Sequence, residues 1–206
     1  MTHAFRIAMA AVCVLLAAGT HRSAFASSQT QTYALHMEVP QVSQAANGDV
    51  VSITGEGLFS IHPKTVSANG NFTHSDSQGN VLGSGTWVAT QLLSFQAYGC
   101  GVVLGFPVPP NLCGGKLMLR VQLTSESGQF EGILSVFCII GPNPPNSHDD
   151  ESGEGARLDI IGVNNFNKIV SGGNVYIKTK LVLQVASTHL RPAPFASGHA
   201  SNDGFV

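Results

Sequence analysis

Hydrophobic positions along this chain recur mainly at every second residue. Tyr33, Leu35 and Met37 alternate with Ala34, His36 and Glu38, and Val51, Ile53, Phe59 and Ile61 fall on one face with Gly55 and Gly57 between them. Such period-two runs predict strands buried on one side. The pattern continues through Leu82–Thr90 and Leu92–Tyr98, and Leu117, Leu119, Val121 and Leu123 then alternate with Met118, Arg120 and Gln122. After a turn at Ser125–Gln129, strands are predicted over Phe130–Ile140, Leu158–Val163 and Val175–Leu183, the last preceded by a turn at Ser171–Asn174. No window carries a helical stripe. The prediction is therefore an all-β domain, a single antiparallel barrel or sandwich of about seven to nine strands, with the barrel preferred.

Two segments echo each other and support a curled sheet. Gly55-Glu56-Gly57-Leu58-Phe59 and Gly83-Ser84-Gly85-Thr86-Trp87 both read G-x-G-x-aromatic inside a strand pattern. Glycine on the aromatic's face removes bulk where a sheet bends, and the aromatic ring can cover the gap. Neither copy is a dinucleotide loop, because the third glycine and the strand-turn-helix setting are missing. The strand layout resembles that of small exported antiparallel barrels, such as lipocalins or the barrels of dirigent proteins and allene oxide cyclases. That likeness concerns architecture alone and transfers no active-site residue.

Composition narrows the class further. Of 206 residues only 11% are charged, 43% are hydrophobic, 23 are glycine, and the net charge is -2. This balance excludes an acidic or basic disordered chain and a nucleic-acid arm. Ile7–Gly19 is an apolar run behind a single Arg6, and Ala24-Phe25-Ala26 precedes the polar Ser27-Ser28-Gln29-Thr30. The pattern predicts a cleaved secretory signal over residues 1–26, since the run is well short of the roughly 20 residues that cross a bilayer. A single β-domain over 27–186 and a mobile tail over 187–206 follow, in a secreted protein with no membrane span after cleavage.

Export gives the cysteines a meaning. Cys13 leaves with the signal, and Cys100, Cys113 and Cys138 remain. Cys100 and Cys113 flank a loop stiffened by Pro107, Pro109 and Pro110, with small glycine neighbours that allow close approach, so these two are paired. Cys138 lies in a run apolar on both faces and reads as a buried, reduced thiol.

Candidate chemistry is sparse. His148, Asp149, Asp150, Glu151 and Glu154 follow a proline stretch but lack the spaced ligands of a calcium loop, so they read as a solvated connection, with no metal and no cofactor expected. His36, His62 and His74 lie on or near strand patterns, where two could converge on a metal; Glu56 and Glu131 face away from their apolar stripes and read as solvent-facing. The H-E-x-x-H and G-x-S-x-G patterns are absent. Asn71-Phe72-Thr73 is a glycosylation sequon in a predicted turn, relevant if the source is eukaryotic.

Two function classes remain. One is a non-catalytic secreted β-domain that binds a small apolar or phenolic ligand, a glycan or another extracellular protein. The alternative is a cofactor-free enzyme, isomerase-like, with its substrate pocket in the barrel. Any pocket is expected beside the Cys100–Cys113 loop, with Tyr98 and Phe106 as ligand contacts: an aromatic with a hydroxyl handle and an apolar wall. The competing expectation for this loop is that it plugs the barrel as core.

Overall fold

A computed structural model describes residues 31–145 and 153–179 of the protein. The signal segment, the tail and His148–Glu151 lie outside the described residues. Eleven strands run in the order β1 Thr32–Gln44, β2 Val50–Ile61, β3 Lys64–Ser75, β4 Val81–Cys100, β5 Val102–Val103, β6 Phe106–Pro107, β7 Leu112–Ser125, β8 Gly128–Cys138, β9 Gly155–Ile160, β10 Asn164–Phe166 and β11 Lys168–Thr179.

The fold is all-β and antiparallel, as the alternation predicts. Nine strands form one sheet in the order β10-β9-β8-β7-β11-β1-β2-β3-β4, and β4 returns to pair with β7. That return closes a ring through six strands, β7, β11, β1, β2, β3 and β4. The remaining strands, β8 to β10, continue outside it. β11 pairs with β7 only at Tyr176↔Cys113 and Ile177↔Leu112, whereas β7 from Gly115 onward pairs with β8. β8 and β9 cover the side that β11 leaves open. Polar side chains cross the seam: Ser43 Oγ donates to the Ala156 carbonyl at 2.5 Å, and Asn174 Nδ2 donates to the Phe137 carbonyl at 2.8 Å.

Two sequence readings need correction. Lys64–Ser75, with Asn71-Phe72-Thr73 read as a turn, is a full strand paired on both sides, Asn71 lying opposite Thr54 and Thr86. Its pattern was masked because Gly70 sits on its inner face. Gly70 lies between Gly55 and Trp87 in one row across β2, β3 and β4. A Cβ on Gly55 would strike the Trp87 ring, whose indole N–H donates to the Thr54 carbonyl at 2.9 Å. Gly55 makes room for the indole and Gly70 lets β3 approach the Thr54–Gly55 backbone, so a strand that carries such a glycine looks like a loop in sequence. Ser171–Asn174 likewise reads as a turn, yet it lies inside β11, where Gly173 pairs with Val39 and Asn174 with Met37. Cross-strand pairing supplies the order that the local composition withholds.

The ring has two distinct ends. At one end Tyr33, Phe59, Phe95 and Tyr176 fill the interior, with ring centroids 4.9–5.7 Å apart. Tyr176 is fully buried, and its hydroxyl donates to the Val136 carbonyl at 2.9 Å. This end also carries the Cys100–Cys113 bond and is called the disulfide end. The opposite end gathers the β1–β2, β3–β4, β7–β8 and β9–β10 turns and is called the His74 end.

Candidate functional site

Alternation along β3 puts Phe72 and His74 on the same inner face, and the register sets His74 opposite both Val51 and Gly83. Gly83 has no side chain to offer there, and a Cβ added to it would meet nothing within 4 Å. The space so left is a cleft of about 80 Å3 lined by residues that include Phe72, His74, Leu82, Gly83, Ser125 and Phe130. Leu82, Gly83, Ser125 and Ser127 also line a wider groove of about 390 Å3. Val81, Leu82, Ile161 and Val163 rim this end and are each about half exposed, between 48% and 63%. Large apolar side chains exposed at one end of a fold commonly mark a binding surface.

Polar groups gather around His74. His74 Nε2 lies 3.0 Å from Asp49 Oδ2, both side chains being 15% exposed, and the imidazole packs edge-on against Phe166 at 5.2 Å. Asn164 Nδ2 donates to Asn47 Oδ1 at 3.0 Å and to Asp49 Oδ2 at 3.4 Å. Hydrogen bonding from His74 first, then from Asn47, holds the Asp49 carboxyl below its usual range. An ionised Asp49 acts only as an acceptor, so the 3.0 Å contact is a hydrogen bond from the imidazole Nε2–H to Oδ2. The Ser125 and Ser127 hydroxyls lie 2.8 Å from each other on the facing turn. The arrangement offers an apolar space with hydroxyl and imidazole groups on its wall, the usual makeup of a small-ligand site.

The residues singled out in the sequence fall elsewhere. Cys100 and Cys113 are bonded, as expected, across directly paired positions of β4 and β7. Between them the chain forms the small β5–β6 hairpin, which does not plug the ring; the aromatic quartet does. Phe106 stands 71% exposed at its tip, whereas Tyr98 is 3% exposed, and burial, then the nearby Cys138, pushes the Tyr98 hydroxyl up. These two residues do not share one surface. An apolar groove of about 380 Å3 at the disulfide end is lined by Thr32, Leu58, Phe59, Ser60, Pro63, Thr65, Val66 and Ser67, and so by neither of them.

Cys138 is a buried free thiol whose proton is held by burial first and then by Glu154. Glu154 departs from the solvated-loop reading, because its carboxylate accepts the Asn174 N–H at 3.1 Å. Glu56 and Glu131 face solvent, as expected, near His36 and Arg120 respectively. His62 is exposed. Among the described residues no three of His, Cys, Asp and Glu gather as a metal site. Asp49, Gly83, Ser125 and Ser127 escaped the sequence reading of the site, since with β3 taken as a turn nothing placed His74 opposite Gly83. Compared with protein-family models, curated proteins and solved structures, the chain finds no match, so function is argued from these residues alone.

Proposed function

We propose that this is an exported, non-catalytic β-domain that takes a small apolar or phenolic ligand in the cleft at the His74 end. The observation that carries the reading is the missing side chain at Gly83, which leaves an apolar-rimmed space directly over His74. An apolar ring would displace water from Phe72, Leu82 and Phe130, while a ligand hydroxyl would bond to His74 or to the serines.

The test is direct. Ligand carried through native purification is identified by mass spectrometry, with the mature N-terminus read from the same sample. Gly83→Val places a branched side chain in the open space without striking the fold, so it should abolish ligand retention and leave the ligand-free Tm unchanged. Saturating ligand at 100 times Kd should stabilise the unmodified protein by about 2.7 kcal/mol and the variant not at all. Equal retention by both proteins sinks the reading, and an N-terminus that still carries the apolar run sinks the export.

One observation favours a second reading, a cofactor-free enzyme: His74 lines the cleft and has a carboxylate partner, Asp49, 3.0 Å from its Nε2, as histidine general bases commonly do. Recovery of a chemically altered ligand, lost in His74→Gln, would move the protein to that class.

A further inference from the structure

The β9–β10 hairpin forms one wall of the cleft at the His74 end, through Ile160 and Val163. Backbone bonds tie it to β8 and β9. β10 pairs with β9 at three positions, Val163 N–H donates to the Ile160 carbonyl, and Ile161 N–H donates to the Glu131 carbonyl of β8. Among the described residues no ladder joins β10 to a strand of the ring. Side chains make that connection instead. Asn164 Nδ2 donates to Asn47 Oδ1 and Asp49 Oδ2, and the fully buried Phe166 packs edge-on with His74 at 5.2 Å. Since His74 itself donates to Asp49 Oδ2 at 3.0 Å, both contacts lead to one carboxylate. The tip ahead of Asn164 has little else against it: Ile161 and Val163 are half exposed, and Gly162 turns with φ of 78° in open space.

We propose that the tip of this hairpin, residues 161–164, is a gate on the cleft, latched to the ring by Asp49 and released by acid. The inference rests on the proposed function in one respect, that something enters the cleft. With the hairpin in place the cleft holds about 80 Å3, and an outward shift of Val163 widens it. The latch works because a carboxylate accepts from two donors at once, His74 Nε2–H and Asn164 Nδ2–H, whereas a protonated carboxyl gives up part of that accepting capacity. The side chains acting on Asp49 are His74 from β3, Asn164 from β10 and Asn47 from its own turn, and of these only His74 titrates. Charges on the neighbouring elements have other settings. Lys168 of β11 donates to Gln44 at 3.3 Å, Asn80 holds Asp76 within the β3–β4 turn, Glu131 lies 3.4 Å from Arg120, and Asp159 and Glu126 stand exposed. The His74 hydrogen bond keeps the Asp49 carboxyl below its ordinary range, so the latch is closed at neutral pH and opens as pH falls through that lowered value.

The experiment is amide hydrogen exchange on the full chain, read by mass spectrometry and corrected for the intrinsic effect of pH on amide exchange. In the unmodified protein, exchange over residues 161–166 should rise as pH falls below the ordinary carboxylate range at about 4, while β7 stays protected. Asp49→Asn removes the charge at every pH. It should raise exchange over 161–166 by about tenfold or more at neutral pH, as the loss of a hydrogen bond to a charged group implies, and abolish the pH dependence. Asn164→Asp sets a second carboxylate where Nδ2 now lies 3.4 Å from Asp49 Oδ2. Two carboxylates so placed repel, and one takes up a proton well above the usual range. That variant should be open at neutral pH and close on mild acidification, the reverse of the unmodified protein. A merely structural role for these side chains would not invert the sign. Exchange over 161–166 that ignores both substitutions overturns the latch, as does a rise shared equally by β7, which would make Asp49 a support for the whole fold. A latch that responds as expected in a protein retaining no ligand leaves this inference standing and fails the proposed function; ligand retained behind a hairpin that never opens does the reverse.

Discussion

At the scale of single residues, Asp49 shows how a polar contact both fixes a site and makes it sensitive to pH. Its carboxylate receives His74 from β3 and Asn164 from β10, so three separate parts of the chain meet on one side chain. The folded carboxyl titrates below its ordinary range, mainly through the His74 hydrogen bond. Ionised Asp49 thus stabilises the folded state above the unfolded carboxylate range near pH 4, and the contribution is lost as pH falls through the depressed folded value. Asp49→Asn should lower Tm at neutral pH, and the gap between variant and unmodified protein should narrow on acidification. A gap constant from neutral pH to below that range would show that Asp49 acts through shape alone.

At the scale of elements, the disulfide joins β4 to β7 where the ring closes, spanning 13 positions of sequence. Closing a loop of that size stabilises by about 3 kcal/mol in the chain-entropy model. The double variant Cys100→Ser, Cys113→Ser should lose about that much in denaturant unfolding and leave the ring intact, because the β4–β7 ladder continues from Gly85 to Ala97 without the bond. Cys138 shares that sheet face but keeps its proton through burial. It should resist alkylation in the native protein and react only on unfolding. Peptide mapping that links Cys138 to either partner would overturn both statements. The spacing and glycine neighbours made the pair legible in sequence; the hairpin between them was not, since a Leu at a type I′ turn runs against the usual turn signal.

At the scale of the molecule, the first described strand pairs with the last. Thr179 Oγ1 donates to the Thr32 carbonyl across 147 positions of sequence, and this β1–β11 ladder is one of the six around the ring. Closure therefore waits for β11, and refolding should fall in the slow millisecond-to-second range of β proteins rich in non-local pairing. A chain ending at Asn167 lacks β11 and opens the ring beside Tyr33 and Phe59, exposing the aromatic core. It should lose the near-UV signal of its tyrosines and of Trp87; retention of a native spectrum would show that the β2–β3–β4–β7–β8 sheet folds without closure.

Sequence by itself determined the all-β class, the faces of most strands, the solvent-facing Glu56 and Glu131, the buried Cys138 and the Cys100–Cys113 pair. Each follows from local alternation or spacing, which records what a face meets but not which strand lies beside it. Tertiary structure alone decided that Lys64–Ser75 is a strand, because its inner Gly70 lies against the β2 backbone at Thr54 and Gly55 and opposite Trp87 of β4, partners that only the register supplies. It alone placed Phe106 in solvent and Tyr98 in the interior. It alone set His74 opposite Gly83, where the absence of a side chain on one strand becomes a cleft only when the register of another brings an imidazole to face it.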